Sequence, residues 1–272
     1  MRRIAFALAL LLPALAFAQS PEFGGRASIG VDYKIKKGLH LTLEQEIRAD
    51  ENFSALNRLQ TTLGLTYKPV SWLKLGAGYS YISPFKTNKE LDDGTLFTGF
   101  WNPRHRGYAD VTGYYRVGDF QFSLKERLQY TYNSDASMNI YQSNPKAWAL
   151  KSRLGVKYKG WKKVEPSLSL EIRTALNDPW GYMEGSQQTN KSGKTYYAYT
   201  HTGYTHVYNN RYRLNGGAEI KLNKHNSLKP YVLVDFCGDY DIDTNSDGTR
   251  LFSAAYNDCV KVFTGLSYTF SF

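Results

Sequence analysis

The sequence predicts an all-β fold, an antiparallel transmembrane β-barrel of about 10 to 12 strands, and three observations carry that prediction. Apolar and polar residues alternate strictly over many segments. The segments, at about 10 to 14 residues, are longer than the ~5 to 6 typical of soluble strands and long enough to cross a bilayer at a tilt. Their connections alternate between short turns and long loops. Composition agrees. With 22 Tyr and 14 Phe in 272 residues the chain is too aromatic to be disordered, and 23 Gly against 9 Pro suits strands and tight turns. Mean hydropathy is -0.48. Past the N-terminus no apolar run approaches the ~18 to 20 residues of a membrane helix, which excludes a polytopic helical protein.

Residues 1–18 read as an export signal. Arg2 and Arg3 precede an apolar stretch from Ile4 to Phe17, and Ala16-Phe17-Ala18 puts small residues three and one before Gln19. Cleavage after Ala18 is expected, leaving 19–272 as a single barrel domain. The stretch is too short to span a bilayer and no cysteine follows the cut, so neither a retained anchor nor a lipoprotein is favoured. Cleavage removes two positive charges from a formal +10. An exported basic chain meets acidic headgroups or acidic solutes rather than nucleic acid.

Eleven strand-like segments follow, at about 25–35, 39–50, 55–68, 72–82, 104–117, 120–132, 146–158, 164–176, 206–222, 228–240 and 257–272. In the third, Leu59, Thr61, Leu63, Leu65 and Tyr67 interleave with Arg58, Gln60, Thr62, Gly64, Thr66 and Lys68. In the last, Val260, Val262, Thr264, Leu266, Tyr268, Phe270 and Phe272 interleave with Lys261, Gly265, Ser267, Thr269 and Ser271. Short turns fall at Lys36-Lys37-Gly38, Pro69-Val70-Ser71, Gly118-Asp119, Gly160-Trp161-Lys162 and 223–227, and longer loops near 83–103, 133–145, 177–205 and 241–256. Turns on the periplasmic side and loops outside is the transmembrane-barrel arrangement. Tyr67, Trp72, Phe120, Tyr158, Trp161 and Tyr268 sit beside the short turns, and Tyr130, Tyr132, Trp148, Tyr208 and Tyr212 lie toward the loops, as two interfacial girdles. A secreted β-sandwich would share the alternation but not the segment length or the girdles.

Two features strain this pattern. By parity Glu126 joins the apolar face of Phe122, Leu124, Leu128 and Tyr130, where a charge is costly, so a bulge or a partner is expected there. The ten segments from 39 onward close with both ends periplasmic, which leaves the first as an odd eleventh. Residues 19–35 are then a luminal or periplasmic strand, or half of a twelfth-strand arrangement.

Leu43-Glu44-Gln45-Glu46-Ile47-Arg48, Gly76-Ala77-Gly78-Tyr79, Leu124-Lys125-Glu126-Arg127-Leu128-Gln129-Tyr130 and the aromatic end Tyr268-Thr269-Phe270-Ser271-Phe272 carry a resemblance. The chain resembles the outer-membrane barrels grouped as domain of unknown function 2490, over nearly all of its length after the signal. Lys125 departs from the pattern, standing where the first arginine of an Arg-x-Arg pair is expected. The resemblance implies a barrel, no catalytic residues and no established substrate. The terminal aromatics resemble the signal read by the barrel assembly machinery, an expected partner during biogenesis. Outer-membrane lipid and lipopolysaccharide are the expected surroundings, in a Gram-negative bacterium.

The polar face holds the candidate site. Its basic residues are Arg48, Arg58, Arg104, Arg106, Lys125, Arg127, Lys151, Arg153, Arg173, Arg211, Arg213 and Lys261, and its acids are Glu44, Glu46, Glu171, Glu219 and Asp235. Most of the basic groups lie about 7 to 12 residues from the short-turn end, which predicts a positive belt in the outer half of the lumen. Two readings stay open. Paired charges would be the core of a small sealed barrel. A surplus of arginine would form a narrow channel or binding barrel that favours anions.

In the loops, Asp243-Thr244-Asn245-Ser246-Asp247-Gly248, with Asp241, matches the first half of a calcium loop. Position twelve counted from Asp243 is Ala254 rather than Glu, so a complete EF-hand is excluded, and an Asp/Asn/Gly-rich surface turn is the plainer reading of the same residues. Asp241, Asp243, Asn245 and Asp247 are the only metal candidates, for a weak Ca2+ site, and no other cofactor is expected. Trp180, Tyr182, Tyr196, Tyr197, Tyr199, Tyr204 and Tyr208, with Phe97, Phe100 and Trp101, make the loops aromatic enough to bind a glycan or protein, or to pack over the barrel mouth. Cys237 and Cys259 share the inward parity on the last two strands at matching heights, which suits a disulfide or two free thiols. His40, His105, His201, His206 and His225 are scattered without a serine and acid at recognisable spacing, so no enzyme is expected. A lipid-modifying enzyme, with His201 and His206 as first suspects, is the lesser alternative.

Overall fold

The computed structural model describes residues 21–50, 52–53, 55–86, 89–90, 96–97, 100–133, 146–178, 183–193, 195–201, 206–244 and 251–272. The export signal expected at 1–18 lies outside the described residues, as do Asn245 and Asp247 of the calcium-like loop. Eleven long strands build the wall: β1 (Glu22–Lys36), β2 (Leu39–Asp50), β3 (Ala55–Val70), β4 (Leu73–Lys86), β5 (Arg104–Val117), β6 (Phe120–Asn133), β7 (Lys146–Tyr158), β8 (Val164–Asp178), β9 (His206–Lys221), β10 (Asn226–Thr244) and β11 (Leu251–Ser271). Each pairs antiparallel with the next in the chain, so the short turns gather at one rim and the loops at the other. Between β8 and β9, Met183–Thr189 pairs with Thr195–His201 as a loop hairpin.

The parity problem resolves at the seam. β1 is neither luminal nor periplasmic: it belongs to the wall and runs parallel to β11, from Glu22 opposite Lys261 to Asp32 opposite Ser271. An odd strand number closes only if one neighbouring pair is parallel, and here the first and last strands form it. That places the start of β1 toward the loop rim and the end of β11 at the turn rim, where the Phe272 N–H donates to the Asp32 carbonyl at 2.9 Å. Gly24 makes the close approach: a Cβ there would sit 2.6 Å from the Ala49 carbonyl oxygen and 2.6 Å from the Phe263 ring.

The two faces of the wall invert the pattern of a soluble barrel. Ile29 (59%), Leu124 (54%) and Leu154 (58%) are exposed on the outside, whereas Glu171 (2%), Asp235 (3%) and Gln129 (3%) are buried within. A closed wall with apolar residues outside and charges inside is an outer-membrane-type β-barrel, not a soluble sandwich. Aromatic rings mark both rims. Phe120, Tyr158 and Trp161 contact one another at the turn rim, with centroids 5.2 and 5.4 Å apart, and Tyr130 meets Trp148 at 4.8 Å toward the loops.

Two local departures have physical causes. A bulge at Asn210 shifts the β8–β9 register, so that Arg173 faces Arg211 but Thr174 faces Asn209. The extra residue turns Tyr208 from the outer girdle that plain alternation assigns it onto the lumen face, opposite buried Ala175. Glu126 does face outward, with a partner and no bulge. Its register is continuous on both sides, and the Ser152 hydroxyl on β7 donates to its carboxylate at 2.6 Å.

Candidate functional site

Alternation puts every second residue of each strand into the lumen, and register then lines these residues up in rows across neighbouring strands. All the basic and acidic residues expected on the lumen face share that face. The belt expected in the outer half is organised as three rows of different character.

The first row opens on two basic residues and alternates in sign from the second of them onward. Lys125 faces Arg153, which faces Glu171, then Arg213, Asp235, Lys261 and Glu22, across seven strands from β6 to β1. Arg213 grips Asp235 through two hydrogen bonds of 2.6 Å, the bidentate fork that suits guanidinium and carboxylate. Arg153 pairs with Glu171, and Lys261 meets Glu22 at 2.6 Å. The carboxylates also reach the adjacent rows: Glu171 accepts from Arg211 at 3.1 Å, and Arg26 lies 3.8 Å from Asp235. Buried charges matched this way satisfy one another.

The second row lies one step toward the loops and runs Asp110, Arg127, Lys151, Arg173, Arg211, Cys237, Cys259. Four consecutive members are basic. Asp110, at one end, takes Arg127 at 2.6 Å and Lys125 at 3.0 Å, and Arg127 also stacks on Tyr108 with its guanidinium carbon 3.8 Å from the ring centroid. Lys151 makes no ion pair among the described residues. At the other end Cys237 and Cys259 face each other as free thiols, the second of the two states that the sequence leaves open.

The third row is Arg58, Arg48 and Arg26, directly opposite one another on β3, β2 and β1. Arg48 bonds Glu46 at 2.5 Å, and Arg26 lies over the Phe263 ring at 4.1 Å. Arg58 has no ion pair among the described residues. Arg48 of this row lines one lumen cavity together with Arg106 on β5 and with Arg127 and Lys151 of the second row. The second and third rows therefore converge. Buried Nε atoms of Arg26, Arg58, Arg104 and Arg211 have no hydrogen-bond partner among the described residues.

Near the turn rim the charges pair again. Lys157 reaches Glu219 at 2.7 Å and Glu165 at 3.3 Å, and Lys221 also binds Glu165. Glu44, by contrast, takes no hydrogen bond or ion pair among the described residues. It lines a lumen cavity of about 360 Å³, together with Arg106, Lys151, Gln60, Thr62 and Ser80.

Sequence reasoning missed Arg26, Asp110 and Glu165. Asp110 was within reach, since it keeps the parity of Arg104 and Arg106, and Glu165 keeps that of Glu171. Arg26 lay on the one strand whose place in the wall alternation leaves open. His40 faces the lumen and bonds Asp32 at 2.9 Å, whereas His105 points outward to Tyr79. His225 is tied to the Ser271 carbonyl at the turn rim at 2.8 Å. Among the described residues no three His, Cys, Asp or Glu side chains are placed to hold a metal. The side chains of Asp241, Asp243, His201, His206, Phe97, Tyr196, Tyr197 and Tyr199 lie outside the described set, as do Trp180, Tyr182 and Tyr204.

A family model described as a protein of unknown function, DUF2490, matches residues 27–239. No curated protein matches the chain. Among solved structures, OmpT, an outer membrane protein of Vibrio cholerae folded in vitro, is similar at 12% identity. It aligns over 84% of this chain and 84% of that chain, with a TM-score of 0.35.

Proposed function

The chain belongs to the DUF2490 family of proteins of unknown function, and we propose that its barrel is a narrow anion-binding channel in the outer membrane of a Gram-negative bacterium. In this reading residues 1–18 direct export and are removed, the barrel assembly machinery inserts the wall, and outer-membrane lipid and lipopolysaccharide surround it. The barrel binds and passes solutes and performs no catalytic step.

One observation carries the proposal: the Arg58–Arg48–Arg26 row and the Arg127–Lys151–Arg173–Arg211 row place like charges directly opposite one another and converge in the lumen. Like charges opposed across strands destabilise a sheet by roughly 0.2 to 1 kcal/mol each. A lumen that needed only to be filled would alternate in sign, as the neighbouring row does. Guanidinium forks match carboxylate and phosphate, and rings of one sign set the selectivity of pores.

The test is conductance of the refolded barrel in a planar bilayer under a salt gradient. Discrete steps with a reversal potential on the anion side support the proposal. A folded barrel without conductance and without anion binding refutes it and moves the search to the aromatic loops, as binders of a protein or glycan.

A further inference from the structure

We infer that the 360 Å³ lumen cavity is a subsite for an anionic polyol, a sugar or sugar-like molecule bearing a phosphate or carboxylate. This rests on the anion-binding lumen proposed above and names the class of solute that it accepts.

The cavity has two unlike walls. On one, among the described residues, Lys151 makes no ion pair and Arg106 engages only the Thr131 hydroxyl, through its Nε at 3.0 Å. The Lys151 ammonium and the terminal N–H groups of Arg106 are left as donors, so the ligand must present an oxyanion to them. On the other wall stand Gln60, Thr62 and Ser80, joined by hydrogen bonds of 3.1 and 2.9 Å, with the carboxylate of Glu44 beside them. Glu44 is exposed to the cavity and holds no donor among the described residues. An acceptor carboxylate amid hydroxyl and amide groups calls for hydroxyl donors on the ligand.

Sign of charge separates a polyol from a zwitterion. The lining holds four basic residues, Arg48, Arg106, Arg127 and Lys151, against two acids, Asp32 and Glu44. Arg48 and Arg127 are already occupied by Glu46 and Asp110, and Asp32 by His40 at 2.9 Å, which leaves Arg106 and Lys151 against Glu44. An ammonium group would enter a net positive chamber and be repelled, whereas a hydroxyl donates to Glu44 without bringing a charge. A bare oxyanion would leave the neutral wall unused. A bare polyol would leave the basic wall unneutralised.

The experiment is calorimetric titration of the full chain, folded in detergent, with inorganic phosphate, glucose, glucose 6-phosphate and glycine. Glucose 6-phosphate is expected to bind roughly tenfold tighter than phosphate, with glucose and glycine weakest. Gln60→Leu and, as a milder change, Thr62→Ala should each remove that advantage while leaving phosphate affinity in place. Arg106→Gln should weaken both anions. Retention of the heat-resistant folded species on a gel shows that each variant is intact. Equal affinity for phosphate and glucose 6-phosphate overturns the polyol assignment and leaves the anion-binding lumen standing. Glycine binding as tightly as glucose 6-phosphate also overturns it. Binding of neither anion overturns both readings.

Discussion

Two rows of charge one register step apart, overlapping on β7, β8 and β9, are built to opposite rules. From Arg153 through Glu171, Arg213, Asp235 and Lys261 to Glu22, each charge faces its opposite. From Arg127 through Lys151 and Arg173 to Arg211, each faces its like. Both rows share one environment, so burial alone explains neither. The alternating row is the lumen's equivalent of a core. Its members neutralise one another and fix the register of β7 to β1. The uniform row, with Arg58, Arg48 and Arg26 converging on it, sets like charges opposite one another across the strands, and in the proposed channel it is the part that meets the solute.

Removing a carboxylate from the alternating row should have the largest effect. Glu171→Ala strands Arg153 and Arg211, and since loss of one member of a fully buried pair typically costs about 3 to 5 kcal/mol while Arg153 is 45% exposed, a loss of roughly 2 to 3 kcal/mol is expected. Urea unfolding in lipid vesicles, followed by tryptophan fluorescence, reads this out. A loss under ~1 kcal/mol would mean that the row is solvated and is not a core.

Arg58→Gln should act in the opposite direction. It removes a charge that faces Arg48 and has no ion pair among the described residues, so stability should hold or rise by up to about 1 kcal/mol while anion affinity falls. A variant as destabilised as Glu171→Ala would erase the distinction between the rows.

The smallest effect probes the outer wall. Ser152→Ala strips Glu126 of its hydroxyl donor and should cost about 1 kcal/mol. Glu126→Gln, which keeps the hydrogen bond and removes the charge, should be neutral or stabilising in the same unfolding assay. Equal losses from the two variants would show that the outward carboxylate is held by something other than Ser152.

Much of this was legible because strand alternation is a local property. The lumen placement of Arg127, Arg153, Glu171 and Arg213 needs only the period of two, as does the outward aim of Glu126. Closure was not legible. The parallel pairing of β1 with β11 joins residues that lie at opposite ends of the chain, and no local pattern in 22–36 announces a parallel neighbour. The Asn210 bulge is equally silent, so plain alternation puts Tyr208 on the opposite face from the one it occupies. Which acid meets which base was hidden too, since it depends on register summed around the wall. Asp110 meeting both Lys125 and Arg127 is a product of the β5–β6 alignment.

The central claim is that the uniform rows, not the alternating one, govern anions. The most direct measurement is the reversal potential of Arg58→Gln beside that of the unaltered barrel, in the same bilayer and salt gradient. The account predicts anion preference in the unaltered barrel and a clear shift toward zero in the variant, with channels still forming. An unchanged reversal potential would contradict it and return Arg58 to the status of a packed side chain.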